Sequence, residues 1–191
     1  VLTEGNPYLM TGTSPDSITQ ERIDSPQSCI SKRSIATLGD YTAAVVIYAS
    51  PDGLTVIDGG LARVVSQRFW KKDQWTALNP STMIGAVTEG QYFAITSAIS
   101  FIFDFDEQLS ALTTTDETAA GLYSDLETDL LYMIQGSNLN TWKSGATNKT
   151  LTWKSKIFSF PRRGSFSVMA VRAAGYPVTV RLYGAADSTA E

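Results

Sequence analysis

Short runs of β-branched and aromatic residues recur along the chain, and turn-forming residues close each of them. The clearest runs cover residues 44–48, 92–96, 101–103, 130–134 and 178–183, bounded by Gly, Pro, Asn, Asp or Ser. Runs of this length and composition are typical of β-strands. The pattern therefore predicts a chain that is nearly all β.

One segment between the first two runs departs from this pattern. Residues 68–78 favour a short helical turn, and Asn79-Pro80 ends it, because proline disfavours a helical conformation in the residue before it. A helical turn of this length does not change the predicted class, which is all-β.

Two tight turns predict hairpins. Pro51-Asp52-Gly53 joins the strands predicted at 45–48 and 55–58, since proline presets its φ and glycine accepts a positive one. Gly136-Ser137-Asn138 joins the strand predicted at 131–134 to a strand at 139–142 in the same way.

Tyrosines mark a repeat in the spacing of the candidate hairpins. Tyr8, Tyr48, Tyr92 and Tyr132 follow one another at intervals of 40, 44 and 40 residues. A four-stranded β-propeller blade occupies roughly 40–50 residues. Residues 1–150 are therefore predicted to form propeller-like blades of antiparallel hairpins, as part of a larger propeller. A β-sandwich with regularly spaced hairpins is the alternative.

The pattern changes after Gly145. Residues 151–191 alternate less regularly and carry further strand signals at 168–171 and 177–183. This part of the chain is predicted to be a small C-terminal β addition, which closes the propeller or packs on its face.

Composition limits the chemistry and the compartment. The 191 residues are 43% hydrophobic and 18% charged, as expected for a globular chain, and they include no histidine and a single cysteine, Cys29. Histidine-based triads, zinc-binding histidine pairs and intrachain disulfides are thereby excluded. No apolar run approaches the roughly 20 residues of a membrane span, so no membrane partner is expected. The chain begins at Val1, which suggests a fragment or a processed product.

The net charge of −4 hides a strong asymmetry along the chain. The stretch 73–142 contains ten acidic residues and no basic one, whereas the stretch 143–191 contains eight basic residues against two acidic ones. Such runs solvate strand faces and loops in many proteins, or they serve an electrostatic function.

Carboxylate spacing offers two weak catalytic or metal-binding hypotheses. Asp104 and Asp106 share one face of a strand, as in a paired-carboxylate glycosidase, and Asp125, Glu127 and Asp129 alternate, as in a site for a hard cation. The second set does not fit an EF-hand loop, because Leu130 and Gly136 replace its glycine and glutamate. Exposed strand ends and turns explain both sets better. No catalytic residue, metal site, cofactor or small-molecule substrate is therefore expected.

The tryptophans and the single cysteine can each be interpreted as functional residues or as packing residues. The four tryptophans are either a platform for stacking sugars or bases, or core packing between hairpins, and packing is favoured. Cys29 is interpreted as a small buried apolar residue and not as a reactive thiol. The tryptophans are Trp70, Trp75, Trp142 and Trp153.

Four runs resemble the C-terminal part of structural proteins from tailed phages and prophages. They are Leu-Thr-Glu-Gly-Asn-Pro-Tyr (2–8), Tyr-Ala-Ser-Pro-Asp-Gly-Leu (48–54), Asp-Gln-Trp-Thr-Ala-Leu-Asn-Pro-Ser (73–81) and Trp-Lys-Ser-Lys-Ile-Phe (153–158). Within that group the chain resembles the β-propeller-bearing tail proteins of the nozzle or tail-hub kind. The resemblance implies a non-enzymatic virion protein, assembled in the bacterial cytoplasm into a homo-oligomeric ring. Such a ring joins other tail proteins and lines a channel for DNA.

A channel that conducts DNA must not bind it, and an acidic lining repels the phosphate backbone. Several acidic residues are therefore expected to face the lumen: Glu89, Asp104, Asp106, Glu107, Asp125, Glu127 and Asp129. Four basic residues are expected to face a neighbouring subunit or an acidic partner protein: Lys154, Lys156, Arg162 and Arg163. A carbohydrate-binding or glycan-cleaving β-propeller is the main alternative function, and a host-encoded interaction propeller is a third.

Overall fold

The structure is a computed structural model that describes most of the chain in two compact units. The described residues are 1–2, 5–38, 45–104, 111–147, 149–154, 170–172 and 177–182. The first unit covers residues 1–148 and the second covers residues 149–191.

Strands dominate the first unit, and they follow one another in antiparallel hairpins. Its single α-helix among the described residues is α1 (Lys72–Ala77). The strands are β1 (Tyr8–Thr11), β2 (Thr19–Arg22), β3 (Ala36–Leu38), β4 (Val45–Ser50), β5 (Gly53–Asp58), β6 (Leu61–Val64), β7 (Ile84–Thr88), β8 (Gln91–Ile95), β9 (Ser100–Asp104), β10 (Leu112–Thr115), β11 (Gly121–Asp125), β12 (Leu130–Gln135) and β13 (Asn138–Thr141).

These strands form four antiparallel sheets, each made from consecutive strands. Sheet A contains β1 and β2, sheet B contains β3 to β6, sheet C contains β7 to β10 and sheet D contains β11 to β13. Every neighbouring pair of strands is also adjacent in sequence, so each sheet is a simple meander. The predicted all-β class is confirmed.

The larger hydrophobic core lies between sheets B and C. Ile47 and Ala49 of β4 pack into one cluster with Tyr92 and Ala94 of β8, and Trp75 of α1 joins the same cluster. All five side chains are completely buried. Burial of this apolar area is the main force that holds the two sheets together.

A second core lies between sheets C and D. Phe93 and Ile95 alternate along β8 with the residues that face sheet B, and they pack against Leu131 and Met133 of β12. The ring of Trp142 lies 4.9 Å from that of Phe93, centroid to centroid. Sheet C is therefore buried on both faces, and the layer order is B, C, D.

Two of the four regularly spaced tyrosines, Tyr48 and Tyr92, have similar surroundings. Tyr48 and Tyr92 lie in the second strand of their sheets and are fully buried. Their hydroxyls donate to the backbone oxygens of Gln27 and Ser34, each at 2.7 Å. Both acceptors belong to residues 23–34, here called the strap, which precede β3.

The same equivalence is wrong for Tyr8 and Tyr132. Tyr8 lies in the first strand of the two-stranded sheet A. Tyr132 is in the second strand of sheet D, but its neighbours Leu131 and Met133 face sheet C, so its own ring points to the opposite side. Regular spacing does not specify which face of a strand a residue occupies, because a shift of one residue reverses the face.

Both predicted hairpins and the predicted helical turn are confirmed. Ser50 pairs with Gly53 across the first turn, and Gln135 pairs with Asn138 across the second. A Cβ atom on Gly53 would lie only 2.5 Å from Ser66 Oγ, so close packing also requires glycine there. Helix α1 ends before Asn79, which adopts a left-handed φ of 54° just ahead of Pro80.

The second unit does not contain the strand predicted over residues 177–183 in its described part. Residues 177–182 form neither helix nor strand, and Tyr183 lies outside the described residues. Residues 170 and 171, the described part of the strand predicted at 168–171, are likewise irregular. Alternation alone does not make a strand, because a strand needs a partner for its hydrogen bonds and a face to bury.

Candidate functional site

Five of the acidic residues expected to act together lie at one end of sheets C and D. Glu89 is in the turn between β7 and β8, and Asp104 is the last residue of β9. Asp125 ends β11, and Glu127 and Asp129 belong to the turn that leads into β12. We call this group the acidic end. Asp106 and Glu107 lie outside the described residues.

Hydrogen bonds join the two turns of the acidic end. The backbone N–H of Glu89 donates to Asp129 Oδ1 at 3.1 Å, and Thr88 Oγ1 donates to the backbone oxygen of Asp129 at 3.2 Å. Glu89 and Gly90 both have a positive φ, as a type I′ hairpin turn requires. The geometry of the two turns therefore brings Glu89 and Asp129 next to each other.

The carboxylate of Asp125 is used within its own turn. It accepts hydrogen bonds from the Thr128 hydroxyl at 2.7 Å and from the Glu127 N–H at 3.0 Å. These bonds favour the charged form and hold the pKa of Asp125 below its ordinary value. Among the described residues, no three potential metal ligands are grouped so that they could hold an ion.

Two further side-chain contacts lie at the acidic end, and one of them balances part of its charge. Lys143, the first base after the acidic stretch, forms an exposed ion pair with Glu89. The side-chain amide of Gln91 donates to Asp104 Oδ2 at 3.0 Å. Glu127 and Asp129 remain exposed to solvent, and the end as a whole is acidic.

A second feature, which the sequence reasoning missed, is the outer face of sheet D. Across β11 and β12, Tyr123 pairs with Tyr132, and across β12 and β13, Ile134 pairs with Leu139. Tyr123, Ile134 and Leu139 expose 64%, 46% and 66% of their surface. We call this the open face, and its apolar residues are Tyr123, Leu130, Tyr132, Ile134 and Leu139.

The signal for the open face is present in the sequence. The run Leu-Leu-Tyr-Met-Ile at 130–134 is apolar at every position, and a strand of that kind has apolar side chains on both faces. Leu131 and Met133 use one face for the core with sheet C, which leaves the other face for a different contact.

Three tryptophans serve the cores and do not form a stacking platform. Trp75 is fully buried and donates from Nε1 to the backbone oxygen of Ser50 at 2.9 Å. Trp70 packs edge-on against Phe101, and Trp142 packs against Phe93. The interpretation as core packing is confirmed for these three residues, but not for Trp153, which is 81% exposed.

Cys29 lies in the strap and is half-buried. Its thiol donates to the backbone oxygen of Ser31 at 3.3 Å, and burial raises the pKa of this thiol. A raised pKa lowers the thiolate fraction at neutral pH, which fits a packed residue better than a nucleophile.

The basic residues expected to face a partner fall in the second unit. Lys154 is exposed, whereas Lys156, Arg162 and Arg163 lie outside the described residues. Their proposed role stays a prediction.

Comparison with known proteins finds no matching family model and no significant match among curated proteins. Within the described part of the chain, no helix has the length and apolar character to cross a membrane.

Proposed function

We propose that the chain is a structural subunit of a phage tail, of the nozzle or tail-hub kind. In this proposal sheets B, C and D are successive blades of a β-propeller, and copies of the chain assemble in the bacterial cytoplasm into a ring. The ring joins neighbouring tail proteins and surrounds the channel through which DNA passes. The four runs that resemble phage tail proteins indicate the kind of assembly.

The observation that carries the proposal is the serial packing of the sheets. Sheets B and C are four-stranded meanders, and sheet C buries one face against each neighbour, as a propeller blade does. The first strands of sheets B, C and D begin at Ala36, Ile84 and Gly121. The first interval, 48 residues, lies within the roughly 40–50 residues of a blade, and the second, 37 residues, is slightly shorter.

The acidic end gives this subunit its role toward DNA. Duplex DNA carries one negative charge per roughly 1.7 Å of its axis, so carboxylates that face the lumen repel it and basic groups bind it. Glu127 and Asp129 lie in the turn between β11 and β12, and both carboxylates are exposed to solvent. A lining of this kind lets DNA pass without retention.

Electron microscopy of the purified full chain, combined with a glycan array, tests the proposal. We expect ring-shaped particles and no glycan binding. A chain that binds one glycan family and forms no ring would contradict the structural role and favour a carbohydrate-binding propeller.

The role of the acidic end is tested in the virion. Glu127→Lys should slow genome ejection at low salt without blocking assembly, because the new charge attracts phosphate. Glu21→Lys in β2 makes the same charge change on an exposed residue of sheet A and is the matched control. Equal ejection rates for the two variants would contradict a lumen-facing acidic end.

A further inference from the structure

A pocket of about 330 Å³ lies at the end of sheets C and D opposite the acidic end. Part of its lining is Ile84, which begins β7, and Ile95, which ends β8 and pairs with Ile84. Ala119 and Ala120, just before β11, form another part. We call it the Arg33 pocket, after the only basic residue among the described residues that line it. Ligand pockets occupy roughly 300–1,000 Å³, so a ligand of this one is small.

The strap positions Arg33 at the pocket. The next residue, Ser34, is fully buried, and its hydroxyl donates to the backbone oxygen of Ser31 at 2.7 Å and accepts from the N–H of Ala49 at 2.9 Å. The guanidinium of Arg33 donates to the backbone oxygen of Ala120. Both ends of the Arg33 side chain are therefore held, and a side chain held in this way loses less entropy when it binds a ligand.

The positive charge of Arg33 is not neutralised within the described part of the chain. Both ion pairs found there involve lysines. A guanidinium has five N–H donors, and the hydrogen bond to Ala120 leaves others available. Glu89 lies five residues from Ile84 along β7, which is about 16 Å at roughly 3.3 Å per residue and exceeds the Debye length of about 8 Å at physiological salt. The acidic end therefore does not compensate the charge in the pocket.

Ser97 also lines the pocket and supplies a second donor. Its hydroxyl oxygen accepts a hydrogen bond from the side-chain amide of Asn79 at 3.1 Å, and its hydroxyl proton has no acceptor among the described residues. The backbone N–H of Ser97 donates to Thr82 Oγ1 at 2.9 Å, which fixes this turn. The pocket thus combines an arginine and a free hydroxyl donor with the apolar side chains of Ile84 and Ile95.

We propose that the Arg33 pocket binds a small ligand with one carboxylate and a short apolar body. The carboxylate accepts two parallel hydrogen bonds from the guanidinium, whose planar fork matches it, and a third from the Ser97 hydroxyl. The apolar body contacts Ile84 and Ile95. This site is independent of the proposed ring.

Charge favours a carboxylate over a phosphate in this pocket. One guanidinium balances the single charge of a carboxylate. A phosphate group carries about −1.5 to −2 charges at pH 7, so part of its charge would stay unbalanced beside apolar side chains, which is unfavourable.

Saturation-transfer NMR of the full chain tests the ligand chemistry. The probe is isovalerate, which joins a carboxylate to a branched four-carbon body. We expect saturable binding of isovalerate, at least tenfold weaker binding of the uncharged isovaleramide, and no displacement by equimolar inorganic phosphate. The proposal is overturned if isovalerate does not bind saturably, if isovaleramide binds equally well, or if phosphate displaces isovalerate.

Variants test the place of binding. Arg33→Gln should weaken isovalerate binding at least tenfold, whereas Lys32→Gln, which removes the same charge from the neighbouring exposed residue, should leave it unchanged. Ser97→Ala should weaken binding several-fold. Ala120→Leu keeps Arg33 and the backbone oxygen that holds it, but it fills the pocket and should weaken binding at least tenfold. Thermal unfolding checks that each variant folds.

Two outcomes would contradict this location. Isovalerate binding that survives in Ala120→Leu would show a carboxylate on an exposed arginine and not in the pocket. An equal loss in Lys32→Gln and Arg33→Gln would show general attraction to positive charge. Either result overturns the proposed site.

Discussion

At the scale of single residues, the tightest packing constraint is at Gly85 in β7. A Cβ atom built on Gly85 would collide with the ring and the hydroxyl of Tyr92 on the adjacent strand β8. The ring of Tyr92 thus occupies the space that a larger residue at position 85 would need, as in other sheets where an aromatic ring covers a glycine. The hydroxyl of Tyr92 is fixed by its bond to Ser34, so the ring has little freedom to move.

Gly85→Ala is therefore expected to lower the free energy of unfolding by about 1–3 kcal/mol, the cost of overpacking a core. Urea denaturation measures this loss. Gly121→Ala in β11 is the control, because the tightest contact of its new Cβ would be with the flexible end of Ile134, at 3.2 Å. Similar losses for both variants would contradict a specific collision at Gly85.

Asp52 links the turn between β4 and β5 to α1 and to the strap. It pairs with Lys72 at 2.7 Å and accepts a hydrogen bond from the amide of Gln27 at 2.7 Å. These two contacts hold the pKa of Asp52 below its ordinary value. A carboxyl with a lowered pKa in the folded state stabilises the fold above its unfolded pKa, and this contribution is lost as pH falls through the folded pKa.

Asp52→Asn should accordingly reduce stability at pH 7, and its difference from the wild type should shrink as pH falls below about 4, the usual aspartate pKa. Urea denaturation across this range measures the difference. Asp58→Asn, at the exposed end of β5, controls for the loss of one charge. A difference that does not change with pH would show that the ion pair is not its source.

At the scale of elements, the strap fixes the edge of the layered sheets through tyrosine hydroxyls. Tyr48 and Tyr92 are buried and donate to its backbone oxygens, and burial raises the pKa of Tyr48 to about 12. Ser31 Oγ adds a bond to the backbone oxygen of Met83 at 2.6 Å. Each of these bonds satisfies a polar group that water cannot reach.

Tyr48→Phe and Tyr92→Phe should each lower the free energy of unfolding by about 1–3 kcal/mol, because each leaves a carbonyl oxygen without its partner in a buried site. Tyr132→Phe is the matched control, since Tyr132 is half-exposed on the open face. Thermal unfolding compares the three. A loss in Tyr132→Phe equal to the other two would contradict the anchoring role.

The pattern of residue types along the chain predicted the secondary-structure elements that depend on neighbouring residues alone. The strand at 130–134, the turn at Pro51-Asp52 and the helical turn before Asn79 all follow from residue type at neighbouring positions. The partner of each strand face does not follow from local pattern, which is why Tyr132 was wrongly equated with Tyr48. It is also why the alternating residues 177–182 failed as a strand.

The candidate site also has one part that local sequence predicts, the acidic end, and one part that it does not, the open face. The acids of 125–129 were interpreted as strand ends and turns, and the structure places them there because polar residues with positive φ suit hairpin turns. The exposure of the open face depends on how many sheets follow sheet D in the layered structure. No single run of residues contains that information. Its sequence signal, the apolar run at 130–134, becomes interpretable only once Leu131 and Met133 are assigned to the core.

At the scale of the whole molecule, the charge distribution predicts weak interaction with nucleic acid. The net charge is −4, and Glu127 and Asp129 of the acidic end are exposed to solvent. The purified chain should show no appreciable affinity for duplex DNA at low salt, where attraction to basic groups would be strongest.

Fluorescence anisotropy with a labelled duplex measures this affinity. A submicromolar dissociation constant for the unaltered chain would contradict an acidic lining that lets DNA pass. The same titration with Glu127→Lys shows whether a single reversal at the acidic end is enough to produce binding.

The layer order B, C, D also determines how the chain acquires its structure during synthesis. Each sheet is made of consecutive strands, and sheets C and D each pack on the sheet that precedes them in the chain. Contacts between sheets that are adjacent in sequence close only short loops. The loss of chain entropy on folding is therefore small at each step, and it is compensated as each layer packs. As in repeat proteins, each layer is stabilised mainly by the interface with its neighbours, and this coupling makes folding cooperative. Sheet C is packed on both faces, so its backbone amides should be the last to exchange with solvent in a hydrogen-exchange experiment.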